Sequence, residues 1–255
     1  MTSTLEQSTP RTARYGLAAL LPLALAGLII TAVLTVLVGV IGLVIGLVVT
    51  AVAVVVRART FDTGLDAAIL RDLGAAPAEG PDAAGLVNLA EGLSATAGVP
   101  VPDLFVIDTP SINLLVVGTD PDDAAIVATS GLLGRLSRVE LEAVVARAFV
   151  QLRQGDVFAA TMSIRLESSP VTRVFASMLG HDSDLDDPDR DVLLDRAAVM
   201  LTRYPPGLVG ALQSCREVGS MVSASPASMR RLWLVDPLGT DTQSLDHRME
   251  AIRLL

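Results

Sequence analysis

Lysine is absent from this sequence, aromatic residues supply 3% of its 255 positions, and there are one cysteine and two histidines. The single Cys215 excludes an intrachain disulfide and reads as a small buried hydrophobe. Every basic residue is arginine, which reflects coding bias rather than any one function. The 19 arginines face 28 acidic residues for a net charge of −9, and no arginine cluster forms a basic face. A nucleic-acid partner, which needs such a face, is excluded on that ground. No nucleophile elbow, P-loop or dinucleotide fingerprint is present, so the chemistries those motifs serve are not expected.

Charge is also missing from residues 16–56, a run far longer than the 7–15 apolar residues of a signal peptide. About 20 apolar residues cross the hydrocarbon core, so this run is long enough for two crossings. Gly39 and Gly42 interrupt it near its middle, which predicts a helical hairpin running out over 17–38 and back over 41–56. Arg11 and Arg14 precede the run and Arg57 and Arg59 follow it. Basic flanks on both sides place both ends in the cytoplasm, as only an even number of crossings permits. The expected location is therefore the inner cell membrane, with the N-terminus and the C-terminal domain facing the cytoplasm and the lipid bilayer as one partner. Gly42 and Gly46 have the GxxxG spacing that lets helix backbones approach. Their packing serves either the hairpin itself or a homo-oligomer.

This divides the chain into a tail (1–15), a transmembrane hairpin (16–56), a Gly/Pro-rich linker that includes a short helical segment (57–81), and a domain (82–255). Within the domain, Leu86, Leu89, Ala90, Leu93 and Ala97 fall on one side of a helix predicted over 83–97, which Gly98 and Pro100 stop. Residues 104–107 form a short β-type run, and 114–117 with 125–128 flank a turn as a hairpin. Ser137 and Glu140 have the spacing of a capping box. Behind it Leu141, Val145, Phe149 and Leu152 repeat at helical spacing, so 138–154 is a helix ended by Gly155. Arg147 and Gln151 share the opposite face with Glu140. Residues 157–179 are too charged for a third crossing. Helices follow over 191–201 and 206–216, then a strand or buried turn at 232–235 that places Trp233 in the core, and a C-terminal helix from 243.

Several of these segments match one family in detail. Thr129-Ser-Gly-Leu-Leu133, the capped helix with Glu140-Leu-Glu-Ala-Val-Val-Ala146, and Gly155-Asp156 resemble the active-site region of the HtpX-like membrane zinc metallopeptidases. Ile112-Asn113, Arg190-Asp191 with Asp195-Arg196, Val235-Asp-Pro237 and Leu245 with Arg248 resemble further family segments. The resemblance covers roughly residues 82–255 and implies an α+β, mainly helical fold. That fold is a zincin-like domain with a small sheet, behind the transmembrane hairpin.

The resemblance also implies a zinc site that these residues do not supply. The family's helix carries HExxH, two imidazoles on one Zn²⁺ with a glutamate as general base. On this sequence the first His position is Arg147, the general-base position is Ala148, the second His position is Gln151, and the third-ligand position is assigned to Leu193. No catalytic residue and no zinc are therefore expected. Arg147 and Gln151 become cleft contacts for a carboxylate or peptide backbone, or else belong to a solvated helix face. His181 and His247, with Asp191 and Asp195, could form a rebuilt site, although histidines exposed at helix or loop ends are the simpler account. The acidic loop 182–191 departs from a calcium-binding loop at Asp187 and Leu193, where Gly and Glu are required. Three functions follow: a catalytically inactive homologue that binds a membrane or protein partner, an active zinc metalloendopeptidase, or a structural protein that works through its hairpin.

Overall fold

Helix α1 (Ser3–Val38) ends at Gly39, whose φ of 71° lies in the left-handed region that favours glycine, and α2 (Val40–Phe61) runs back from it. This computed structural model describes residues 3–61, 65–120, 122–155, 157–158, 160–161, 164, 189–239 and 242–255. Most of the segment 157–179, the loop 182–188 and His181 lie outside the described residues. The hairpin and the domain are separate compact units.

Small residues line the seam of the hairpin. A Cβ on Gly27 would overlap Thr50, one on Gly42 would overlap the backbone carbonyl of Leu34, and one on Gly46 would stand 2.8 Å from the Cα of Thr31. Gly42, Gly46 and Thr50 recur every fourth residue, so they form one stripe of α2 facing α1. The Thr31 and Thr50 hydroxyls donate to the carbonyls of Gly27 and Gly46, each at 2.7 Å. No hydroxyl in the seam is therefore left bare in an apolar setting. The large side chains point the other way: Leu28, Ile29, Val36 and Val40 are exposed. That arrangement reverses a soluble helix pair and suits lipid. Leu20–Val38 is long and apolar enough to cross a membrane, while the apolar part of α2, Val40–Val56, is shorter. At 1.5 Å per residue the latter spans about 26 Å against a hydrocarbon core of about 30 Å.

Two segments assigned from sequence to a tail and a linker carry regular structure. Residues 3–15, assigned to the tail, are helical, because α1 starts at Ser3; an established helix propagates more readily than it nucleates. Residues 57–81 are not a plain linker. Beyond α2 and the short α3 (Leu65–Asp72), strand β1 (Ala76–Pro77) pairs with β2 (Asp103–Ile107), and the Ala78 amide donates to the Leu104 carbonyl at 2.8 Å. A proline looks like a strand breaker, yet an edge position tolerates its missing N–H.

The sheet has the order β1-β2-β4-β3, with β3 (Leu114–Asp120) antiparallel and β2 parallel to β4 (Asp123–Thr129). Helix α4 (Ala84–Ala97) buries the five residues named from its periodicity. The short α5 (Ser130–Arg135) is capped by Thr129, whose hydroxyl oxygen accepts from the Leu132 amide. At Gly131 any Cβ would overlap the Pro110 carbonyl, so the close approach of backbone requires glycine there. The capping box of Ser137 and Glu140 opens α6 (Arg138–Gln154), and Gly155 closes it at φ 76°. Helix α7 (Arg190–Thr202), α8 (Pro205–Val218), a 3₁₀ turn (Ala227–Leu232) and α9 (Thr242–Arg253) complete the domain.

Helix α6 packs against α4, α7, α8 and β3, and every residue from Ala143 to Leu152 is buried. It is the central rod of the core rather than an amphipathic surface helix. Asn113 ties the sheet to the rest of the domain. Its Nδ2 donates to the Ser220 and Val235 carbonyls at 2.9 Å, and its Oδ1 accepts from the Leu114 and Val235 amides. Trp233 is buried, as expected, and donates its Nε1–H to Ser225 at 2.9 Å.

Candidate functional site: a buried arginine–aspartate network

On α6, Arg147 and Gln151 are one turn apart, and Arg147 faces α7, where Asp191 and Asp195 repeat the same spacing. Arg147 donates from Nε to Asp195 at 2.8 Å, from Nη2 to Asp191 at 2.5 Å and from Nη1 to Gln151 at 3.4 Å. Arg248 on α9 reaches Asp195 from the other side, with Nε to Oδ2 at 2.6 Å and Nη2 to Oδ1 at 2.9 Å. Its Nη1 donates to the Leu234 carbonyl at 2.7 Å, and the Gln151 amide donates to the Arg231 carbonyl at 3.3 Å. Asp195 is 0% exposed and the two arginines 2% each. Two guanidiniums and two carboxylates thus join three helices far apart in sequence.

Burial and the neighbouring charges pull in opposite directions across the network. Burial lowers the pKa of Arg147, and the field of Arg248 adds to that, while Asp191 and Asp195 act in the opposite sense. Burial acts downward on Arg248 as well, but Asp195 and Asp191 outweigh it and its pKa rises. The contrast follows from the neighbours, since Arg248 and Arg190 both oppose the charge on Arg147, while the hydrogen bonds to Asp195 add to the field of the two carboxylates on Arg248. Burial pushes the Asp191 carboxyl up, yet Arg248, Arg147 and Arg190 together hold it below the usual range.

The positions assigned from sequence fall in three groups. Arg147 and Gln151 are brought together, but neither lies on a solvated helix face and neither offers a free cleft contact; both are buried, Arg147 on α7 and on Gln151, and Gln151 on the Arg231 carbonyl. Ala148, also buried, lies between them in sequence and carries no acid or base. Leu193 requires correction. It is 57% exposed, so a ligand there would point away from α6. Two residues turn a helix by about 200°, which puts Leu193 opposite Asp191 and Asp195. Asp191 and Asp195 are the α7 side chains that meet Arg147. Sequence reading placed Asp191 and Asp195 in a family-like segment and, as site residues, in a rebuilt histidine site, and missed their pairing with Arg147 and Arg248. The shared i, i+4 spacing on two helices was the available signal. That histidine site is not assembled among the described residues: both carboxylates are held by arginines, and exposed His247 lies 3.8 Å from exposed Asp189.

A zinc ion does not fit these side chains. Arg147 donates protons and carries a fixed positive charge, Ala148 has no donor atom, and the carboxylates already accept from guanidiniums. Among the described residues, no three of His, Cys, Asp and Glu are grouped to hold a metal.

The fold defines a class: a mainly helical domain with a small four-stranded sheet, in a chain with an N-terminal apolar helix. Comparison with known proteins makes it specific. Over 209 residues the chain is 27% identical to a protein named Protease HtpX homolog from Dictyoglomus turgidum, covering 67% of this chain and 69% of the relative. It is 30% identical over 184 residues to its namesake from Dictyoglomus thermophilum, covering 60% and 61% of the two chains. A third, from Limosilactobacillus reuteri, is 30% identical over 192 residues, covering 61% and 64%. In the latter two the match spans less than two thirds of the relative's length. No family model matches the chain. These similarities support an HtpX-like family and a metallopeptidase ancestry for the chain.

Proposed function

We propose that this protein is a membrane-anchored HtpX-like homologue that has lost peptide cleavage and acts by binding a membrane or protein partner. The observation that supports this reading is the buried network, in which Arg147, assigned by the resemblance to the first ligand position, binds Asp191 and Asp195. In this reading the fold of the domain is zincin-like, zinc is absent, and Ala148 leaves no group to activate water. The hairpin sits in the inner membrane with the domain on the cytoplasmic side. Gly42 and Gly46 are taken up by the seam within the hairpin, which favours an anchor over oligomer formation through that stripe. A second reading, an active zinc metalloendopeptidase, is favoured by the name Protease that the relatives carry.

Back-substitution separates the two. Arg147→His, Ala148→Glu and Gln151→His are combined either with Asp191→Glu or with Leu193→Glu in the detergent-purified full chain, and zinc content and casein cleavage are measured. The inactive reading expects wild type without chelator-sensitive cleavage, and zinc binding only in the set with Asp191→Glu. Chelator-sensitive cleavage by wild type overturns it in favour of the peptidase.

A further inference from the structure

Helix α7 buries Val192, Leu194, Asp195, Ala198 and Val199 and turns its other side outward. Leu193, Arg196, Ala197 and Met200 recur at i, i+3, i+4 and i+7, so they share that outer face. Leu193 is 57% exposed, Met200 77%, and Tyr204, just past the helix end, 50%. Tyr204 is steadied by α8, where a Cβ on Gly207 would stand 3.3 Å from its ring. Arg196 and Arg203 are exposed beside these side chains, and among the described residues neither makes an ion pair. That is unexpected in a chain of net charge −9: from Arg196 to Arg216 there are three arginines and no acidic residue. Asp189, at the acidic start of α7, lies eleven residues before Met200, about 16 Å along the axis.

We infer that the outer face of α7 docks on an anionic lipid surface, with Leu193 and Met200 entering the headgroup boundary and Arg196 and Arg203 on lipid phosphates. Apolar side chains flanked by cations and free of carboxylates are what lies in a charged membrane interface. Tyrosine suits that depth, with an apolar ring and a polar hydroxyl, and the arginine fork matches phosphate oxygens. A second copy fits less well. In a two-fold contact the same face meets itself, which would bring the unpaired arginines together with no carboxylate between them. Residues 57–64 alone separate the apolar part of α2 from α3. In the anchored chain so short a tether keeps the domain at high effective concentration near lipid, whichever way it turns. The inference rests on the membrane anchoring proposed above and not on the loss of cleavage.

The test places the full chain in lipid nanodiscs of phosphatidylcholine, with or without a third of phosphatidylglycerol, and follows oxidation of Met200 by dilute peroxide with mass spectrometry. Exposed methionine oxidises readily and lipid contact shields it. Met200 is expected to oxidise several-fold more slowly on anionic than on neutral discs, while Met221, 57% exposed, keeps its rate. Each arginine multiplies the docked-to-free ratio by about five, so Arg196→Gln and Arg203→Asn should each reduce protection by that factor. Neither arginine has an ion-pair partner to lose, and asparagine accepts the φ of 56° at Arg203, so both variants should fold. Salt at about 0.5 M should release the face as well. Equal Met200 oxidation on both discs, or protection that neither variant reduces, overturns the docking while the chain still co-elutes with the disc. Protection in detergent alone that grows with protein concentration assigns the face to a second copy and overturns it too. A chain that does not co-elute with either disc overturns the anchoring and this inference with it.

Discussion

Replacing Arg147 by methionine keeps much of the side-chain volume but removes one of two positive charges from a network that is otherwise balanced. Asp195 stays fully buried with Arg248 as its sole guanidinium, and Asp191 loses its 2.5 Å partner. Breaking a buried ion pair by removing one partner costs about 3–5 kcal/mol. Most of that cost falls on Asp195, since Asp191 keeps 39% of its side chain exposed and water recovers part of its solvation. Against a total stability of about 5–15 kcal/mol the loss is a large fraction. Adding Asp191→Asn to Arg147→Met restores the balance at one charge of each sign, and about half of the lost stability should return. Denaturant unfolding of the detergent-solubilised protein, followed by far-UV circular dichroism for wild type, both singles and the double, gives the coupling energy. A loss under about 1 kcal/mol for Arg147→Met, the range of exposed pairs such as Arg216–Asp246, would refute the reasoning.

Acid should weaken the same network. The pKa of Asp191 is depressed in the folded state, so its contribution is complete above the unfolded carboxylate value of about 3.9 and is lost as pH falls through the lower native value; unfolding midpoints from pH 6 downward check this. Burial pushes the Cys215 thiol up to about 12, so it should resist iodoacetamide at pH 8 in the native protein and react fully once unfolded, as mass spectrometry of the labelled chain will record. Gly46→Leu should force the two hairpin helices apart at Thr31 and reduce membrane-inserted yield, while the same change at exposed Val48 is neutral. Asn113→Leu strands the amides and carbonyls that Asn113 now serves and should cost about 2–4 kcal/mol in the unfolding assay.

The elements set by local chemistry were legible before any coordinates. The turn at Gly39, the buried face of α4, the β3–β4 hairpin and the capping box of α6 all depend on residues within a few positions of one another. Strand β1 was hidden because two residues, one of them proline, carry no periodic signal. The site was half visible. The family pattern alone assigns Arg147 to the first ligand position and Ala148 to the general-base position. Their surroundings do not follow from it, because α6 is buried on every side by helices distant in sequence, so a polar pair that reads as a wet face becomes the inside of the core. Leu193 was misplaced by two positions, and at 100° per residue such a slip moves a side chain from the core to the solvent.

The central claim is that a guanidinium stands where the family places a metal. Zinc quantified per chain by mass spectrometry, in protein purified in mild detergent without chelator and then dialysed against zinc, tests it most directly. The account predicts a zinc content indistinguishable from that of a buffer blank, with Arg147 still in place on Asp191 and Asp195. One tightly held zinc per wild-type chain, lost together with casein cleavage on adding chelator, would contradict it.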